Sequence, residues 1–581
     1  MAKLTINGVE CEFDKGQTII QAALRAGVEI PHYCYHDSLS IPANCRICLA
    51  ECWAPDPRAD AKLAPYMGGK LLPTCQTHAV DGLVVRTDSP KAVANQKAVM
   101  EYLLINHPLD CPVCDQAGEC DLQDYSYRFG RGVSRFEESK VKQPKKDLGP
   151  HVLLYADRCI MCTRCVRFTR EVTGTSELLV QGRGNQEQID VFPGVPLDNE
   201  LSANVIDLCP VGALLDKDFL FAQRVWFLKR TPSIDGLTAS GDNIWIEHNE
   251  GRVYRLKPRT NLEVNKWWIT DEVRYGWKHV HSRQRLTSPM RRRHGALIES
   301  EYVRAAEDAA AGLEKAKRIG VLVSPMLTCE DAYALARLAK RIDDKAVLAI
   351  GPVPVSGEDK VFPKGAKADD PRAFIVRAEK APNARGVKRV LAAMGGAVTF
   401  DEFVGALGSG TIDAAIITGN YPSTWAPRKL IDALDKPFCL LIDTLDTALV
   451  NSATCILPGA TWMEKAGTFE NANSVLQAFE QAIPCVGASR SEGQIASDLL
   501  AIIEDRAEDT TDEHVFAYID EQPGMVPEAA ELVRPRAGLF NAADARREMG
   551  ERFEALRTIA GDVRMPAGED VAEPDMVMVE L

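Results

Sequence analysis

The first hydrophobic positions of the chain alternate. In LTINGVECEF, residues 4–13, apolar and polar side chains exchange on either side of Asn7 and Gly8, which predicts a two-stranded hairpin around a tight turn. GQTIIQAALRAG, residues 16–27, changes period: its apolar positions recur at helical spacing and end at a glycine. IPHYCYHDSLSIPANCRICLAECW, residues 30–53, is too rich in turn residues to predict regular structure. KLLPTCQTHAVDGLVVRT, residues 70–87, reads as a second strand pair that closes a small α/β unit. SPKAVANQKAVMEYLLIN, residues 89–106, opens on a Ser-Pro helix entry and carries an apolar stripe, so a helix is expected to deliver the chain to HPLDCPVCDQAGECDLQ.

Beyond about residue 236 the texture changes. RIGVLVS and DAAIITG are short buried-strand patterns, and CEDAYALARLAKRI is a helical one. Their alternation predicts α/β layers around a largely parallel sheet. From about residue 535 a helix is expected, then an extended tail ending in GEDVAEPDMVMVEL that would order against a partner.

At 581 residues the chain is long enough for several domains, and its 46% hydrophobic and 26% charged residues are ordinary for globular protein. No apolar run approaches the ~18 residues a membrane span needs, so a soluble chain is expected. With strand residues from the start of the opening hairpin, no export signal is expected. A net charge of −14 disfavours nucleic acid as a partner, because that binding rests on basic side chains neutralising phosphates. Arg291, Arg292 and Arg293 are a local exception, expected on a solvated linker face.

Cysteine changes the picture most. There are seventeen, too many and too unevenly placed for incidental thiols in a chain expected to stay in a reducing compartment, and they point to metal ligation. In DRCIMCTRCVRFTREV, Cys159, Cys162 and Cys165 take the first three places of a bacterial ferredoxin run, but Thr169 stands in the fourth. The last cysteine of such a run reaches across to the other cluster in two-cluster proteins. Downstream, NELSANVIDLCPVGAL keeps only that last place, as Cys209 before Pro210, while the earlier places read Asn199, Ser202 and Val205. Cys159, Cys162, Cys165 and Cys209 therefore form one four-iron ligand set, and the second cluster is lost. Arg158, Arg164 and Arg167 put positive charge beside it, unless they face solvent.

Cys34, Cys45, Cys48 and Cys75 form a second set, a two-iron pattern with a lengthened first gap. Cys52 is the rival for the fourth place, and Arg46 would offset the charge of four thiolates. His107, Cys111, Cys114 and Cys120 form the third, spaced H-x3-C-x2-C-x5-C, with His107 either a ligand or a residue capping the preceding helix. Zinc competes for both of these sets, since tetrahedral sites also use C-x2-C pairs. In chain order, the histidine-bearing group would stand between the other two in a conducting row. Cys11, Cys52, Cys329, Cys439, Cys455 and Cys485 complete no set.

With these residues in hand, the chain resembles the large iron–sulfur subunit of respiratory complex I, NADH:quinone oxidoreductase, called the G subunit in bacteria. The resemblance is carried over residues 1 to about 290 by CYHDSLSIPANCRICLAE, HPLDCPVCDQAGECDLQD, RCIMCTRCVRF and NVIDLCPVGAL. It implies an α+β and α/β multidomain protein. The expected parts are a β-grasp 2Fe-2S ferredoxin domain (1–88), a one-histidine three-cysteine 4Fe-4S domain (89–130), and a ferredoxin-like 4Fe-4S domain (131–228). A cluster-less segment (229–290), a degenerate molybdopterin-oxidoreductase-like α/β domain (291–534), and a C-terminal helix and tail (535–581) would follow. The implied cofactors are one 2Fe-2S and two 4Fe-4S clusters on the twelve ligands above, with neither molybdopterin nor FMN in this chain. The implied role is electron transfer from an NADH- and FMN-binding subunit towards quinone-side iron–sulfur subunits, on the cytoplasmic side of a bacterial inner membrane, reached only through partners.

Two departures from that family stand out. Some members hold a further four-iron cluster where this chain reads KRTPSIDGLTASGDNIWIEHNEGRVYRL, and here no cysteine lies between Cys209 and Cys329. In ATCILPGATWMEKAGTFENANSVLQ, Glu464, Gly467, Thr468, Phe469, Asn471 and Gln477 match the late molybdopterin motif, but its usual Glu-Gly-Arg has become Asn473, Ser474 and Val475. Alternatives that share the N-terminal resemblance are the catalytic subunit of an NAD-linked formate dehydrogenase and the electron-input subunit of an NAD-linked hydrogenase.

Overall fold

The computed structural model describes residues 2–56, 62–508 and 539–565. The expected C-terminal tail, from residue 566, lies outside the described residues. The chain divides into two compact units, Met1–Leu228 with Val361–Phe374, and Lys229–Lys360 with Ile375–Leu581.

The first unit begins with the expected hairpin, Ala2–Ile6 against Val9–Phe13. Asn7 and Gly8 both take positive φ, the geometry that makes Asn-Gly the favoured two-residue turn. Val84–Arg86 lies parallel to Ala2–Ile6 and antiparallel to Leu49–Pro55. The helix Ile19–Arg25 buries Ile19, Ile20, Ala22 and Ala23 against Leu4, Ile6, Phe13, Leu83 and Val85, which gives the β-grasp arrangement.

Two expectations are corrected here. Residues 70–87 do not form a strand pair of their own: Leu72–Pro73 and Val84–Arg86 each pair with Leu49–Pro55. That central strand lies mostly inside the stretch expected to be irregular. The turn residues end at Cys48, and the alternating burial of LAECW then makes a strand.

The helix Pro90–Leu104 starts as expected, with Ser89 Oγ accepting from the Ala92 N–H and Pro90 in the first turn. The short helix Asp121–Phe129 follows. The ferredoxin-like part holds a three-stranded sheet, Leu214–Asp216, Val152–Tyr155 and Lys145–Asp147, with the helices Arg164–Glu171 and Asn204–Leu208.

In the second unit a three-stranded antiparallel sheet, Lys229–Ile234, Asn243–Asn249 and Arg252–Pro258, precedes a seven-stranded one. The five parallel strands of the larger sheet run in the order Val347–Ile350, Ile319–Val323, Ala414–Thr418, Phe438–Asp443, Cys455–Pro458. Period-two alternation sorts their side chains into two cores. Val321, Val323, Ile416, Leu440 and Leu457 face one, with helices Tyr302–Glu314, Cys329–Ile342 and Ala384–Ala393. Leu322, Ile417, Leu441 and Ile456 face the other, with Phe400–Gly408 and Arg428–Ala433. A sheet covered on both faces explains why these strands read as unbroken apolar runs.

The arginine triplet is not a linker face. Met290–Arg293 is a strand, paired with Ala296–Glu299 and with Cys455–Pro458. Arg291 and Arg293 bond Asp308, while Arg292 donates to the carbonyls of Ala453, Asn451 and Gly295.

Candidate metal centres

Cys34, Cys45 and Cys48 sit on the loop between the helix Ile19–Arg25 and the central strand Leu49–Pro55. Ala43 and Arg46, on either side of Cys45, take left-handed backbone angles, the kind of bend that turns successive N–H groups inward. Cys75 Sγ lies 3.6 Å from Cys48 Sγ, and Cys34 and Cys45 form a second hydrogen-bonded thiol pair. Accepting from Cys34 holds the Cys45 thiol down to about 5. Cys52 lies on the central strand among the apolar core residues of this domain. Arg46 is exposed.

Cys159, Cys162 and Cys165 lie where a short turn leads into the helix Arg164–Glu171, and Cys209 follows the helix Asn204–Leu208. Met161 and Thr163, flanking Cys162, repeat the left-handed bend seen around Cys45, and the Met161 N–H donates to Cys159 Sγ at 3.4 Å. The four cysteines line one cavity together with Ile189, Val211, Leu214 and Arg164. Burial raises the Cys159 and Cys165 thiols and pushes Cys209 up to about 11. In such an apolar place a bound metal centre is what holds sulfur as thiolate.

The arginines here are buried. Arg158 pairs with Asp110 at 2.8 Å and stacks over the Tyr155 ring at 4.0 Å. Arg164 donates to the Leu208 carbonyl at 3.4 Å, and its buried Nε has no acceptor among the described residues. Arg167 donates to the carbonyls of Cys34 and Ser40, each at 2.5 Å, and to that of Cys162 at 3.4 Å. None of the three was separable from a surface arginine by sequence, since burial carries no local signal.

The group at 107–120 follows the helix Pro90–Leu104. Cys114 and Cys120 are buried and Cys111 is exposed. Burial pushes the Cys120 thiol up to about 12. His107 is held down to about 4, first by burial and then by Arg158 and Lys140, which leaves a neutral imidazole of the kind that ligates metal. Arg158 also acts on the Cys114 thiol, so His107 and Cys114 share one charged neighbour. Gly212, three residues after Cys209, is where the two groups meet: a Cβ there would collide with Cys114 Sγ. The Asp121 N–H donates to the Pro210 carbonyl at 3.1 Å.

The Cys159–Cys165 segment touches the Cys34 loop through Arg167, and the Cys209–Gly212 turn borders Cys114. The ferredoxin-like group adjoins both others, and the histidine-bearing group also meets the first loop, where Tyr33 packs on Tyr125. Among the described residues no three His, Cys, Asp or Glu side chains close to the spacing of a single ion. The 3.6 Å between Cys48 Sγ and Cys75 Sγ is a spacing that two ligands of one tetrahedral metal take, iron or zinc alike. The unpartnered Arg164 N–H suits a sulfide-bearing group, because sulfide accepts hydrogen bonds.

Where a second ferredoxin cluster would stand there is a polar network. Thr173 donates to the Thr169 carbonyl, Thr175 bonds Thr173 and Glu177, and Asn199 donates to Glu177 at 3.0 Å. In the second unit the late-motif residues serve the fold. Glu464 pairs with Arg285 at 2.9 Å, Thr468 bonds Glu330, and Phe469 packs on Phe479. Asn471 and Gln477 donate to the carbonyls of Ser240 and Gly241, and Gly467 leaves room for Thr328.

Comparison with known families places residues 1–90 in a 2Fe-2S iron-sulfur cluster binding domain. Residues 96–135 match the NADH-ubiquinone oxidoreductase-G iron-sulfur binding region, and 149–215 the ferredoxin-like domain of NADH-quinone oxidoreductase subunit 3. Residues 228–278 match the NDSU1/NuoG-like 4Fe-4S domain, though this stretch has no cysteine. Residues 383–502 match molybdopterin oxidoreductase. The chain is 39% identical over 344 residues to the G subunit of NADH-quinone oxidoreductase from Rickettsia felis, covering 59% of this chain and 49% of that one. It is 46% identical over 285 residues to the mitochondrial NADH dehydrogenase [ubiquinone] iron-sulfur protein 1 of Solanum tuberosum, covering 49% and 37%. A solved NAD+-reducing [NiFe]-hydrogenase chain overlaps 39% of this chain and 91% of its own at 27% identity, with a TM-score of 0.33. The chain spans about half the length of the curated relatives it matches or less.

Proposed function

We propose that this chain, whose first 278 residues are homologous to the iron–sulfur region of the G subunit of NADH-quinone oxidoreductase, is an electron-transfer subunit of such a complex. Its proposed centres are a 2Fe-2S cluster on Cys34, Cys45, Cys48 and Cys75, a 4Fe-4S cluster on His107, Cys111, Cys114 and Cys120, and a 4Fe-4S cluster on Cys159, Cys162, Cys165 and Cys209. When bound, these groups take up and release single electrons. The observation that carries the reading is the gathering of all three donor sets in one unit, with the Cys159–Cys209 set bordering both others.

The chain's own residues hold and shield these sites. Ile189, Val211 and Leu214 keep water from the Cys159–Cys209 cavity. Tyr33, buried beside Cys34, donates to Met100 and packs against Tyr125, tying the first loop to the helices on either side of the histidine-bearing group. The Asp110 and Arg158 pair fixes the turn between His107 and Cys111 onto the ferredoxin-like part.

The partners we assign are an NADH- and FMN-binding subunit as donor and quinone-side iron–sulfur subunits as acceptors. Among the described residues no helix is long and apolar enough to cross a membrane, which suits attachment to the cytoplasmic face of the inner membrane through those partners. The second unit acts as a scaffold, its late-motif side chains being committed to internal bonds. The test is to mix the anaerobically purified chain with the NADH- and FMN-binding subunit and add NADH. Paramagnetic resonance signals of reduced clusters in this chain are expected, and their absence despite bound iron would overturn the assignment of the donor.

A further inference from the structure

Resting on the cluster reading above, we propose that Arg167 is a positioning residue shared by two centres, setting the reduction potentials of both. One guanidinium of Arg167 donates to the carbonyl of Cys34, a ligand of the first set, and to that of Cys162, a ligand of the other. Its remaining bonds go to the Ser40 carbonyl and to Thr163 Oγ1. All these acceptors are neutral; Glu171, one turn on, acts on Arg167 through its charge but takes its hydrogen bonds from the Ser40 N–H and hydroxyl. The side chain is 4% exposed, so solvent screens it little. A guanidinium stays protonated even in such a place. Reduction adds negative charge to each centre, so a fixed cation between them stabilises both reduced forms and raises both potentials.

The neighbouring arginines differ in ways that sharpen the claim. Arg158 is paired with Asp110 and acts on His107 and Cys114 of the histidine-bearing set. Arg164 lines the Cys159–Cys209 cavity and carries a buried Nε with no acceptor among the described residues. Hydrogen bonds to cluster sulfur are among the levers that set potential.

The experiment is a redox titration of the full, anaerobically purified chain, following each cluster's resonance signal. Arg167→Gln is expected to move the midpoints of the two-iron centre and the Cys159–Cys209 centre to more negative values together, leaving the histidine-bearing centre in place. Arg167→Lys, which keeps the charge, is expected to leave both midpoints near wild type. A shift in one centre alone for Arg167→Gln, or equal shifts for the Lys and Gln variants, would overturn the shared role. If Arg167→Gln fails to load its clusters, the neutral isostere Arg167→Met carries the same comparison. A wild-type chain without cluster signals would instead refute the reading on which this inference rests.

Discussion

Lys140 Nζ donates to the carbonyl of Ile105 at 2.8 Å, and at the same distance to that of Leu104. The last carbonyls of the helix Pro90–Leu104 are therefore satisfied by a lysine from the following segment. His107, two residues further on, is not needed as a cap, which favours the ligand role among the two its sequence allowed.

His107→Cys is accordingly expected to keep the second centre and make it more negative by about one charge, lowering its potential. His107→Ala is expected to lose the signal or convert it to a three-iron species. A redox titration followed by paramagnetic resonance reads both, and an unshifted midpoint in His107→Cys would place the fourth ligand elsewhere.

The 3.6 Å approach of Cys75 to Cys48 favours Cys75 over Cys52 for the first set. Cys75→Ser should abolish or strongly alter the two-iron signal. Cys52→Ala should leave that signal intact and cost about 1 kcal/mol of stability, in line with a small core truncation. The reverse outcome, read by the same spectra, would exchange their roles.

Glu464, Thr468, Asn471 and Gln477, the polar late-motif side chains, are engaged in hydrogen bonds and an ion pair within the second unit, while Asn473, Ser474 and Val475 replace the motif's usual Glu-Gly-Arg. Metal analysis of the purified chain is expected to find neither molybdenum nor tungsten, and an assay no formate oxidation. Either metal at one per chain would favour the formate dehydrogenase alternative.

Glu247 supplies a pH dependence. Burial opposes its charge, but Arg255, Lys257 and Arg230 outweigh burial and hold the carboxyl down to about 2, from an ordinary value of 4.5. A depressed carboxyl stabilises the fold fully above about pH 4.5 and loses that contribution as the pH falls towards 2. The expected loss is on the order of 3 kcal/mol. Glu247→Gln should lack this part of the acid destabilisation, as followed by Trp fluorescence, since Trp245 lies on the same strand. An acid limb as steep as wild type would contradict it.

How far the sequence could be read followed from the range of each interaction. The helix Cys329–Ile342 was legible from end to end, because its stripe and the Thr328 capping box with Asp331 are local. The ligand sets were legible because cluster chemistry fixes cysteine spacing. The strand Leu49–Pro55 was missed because a cysteine loop hid its start, and the strand of Arg291–Arg293 because its polar residues are answered by Asp308 and by distant carbonyls. The adjacency of the Cys34 and Cys162 loops depends on Arg167, whose partner at Cys34 is 133 residues away, and no local pattern encodes it.

The central claim is that three ligand sets hold three iron–sulfur clusters. Iron and zinc analysis with paramagnetic resonance on the anaerobically purified, reduced chain tests it most directly. About ten iron atoms per chain are expected, two for the first set and four for each of the others, with three distinguishable signals and no stoichiometric zinc. Stoichiometric zinc with little iron would contradict it.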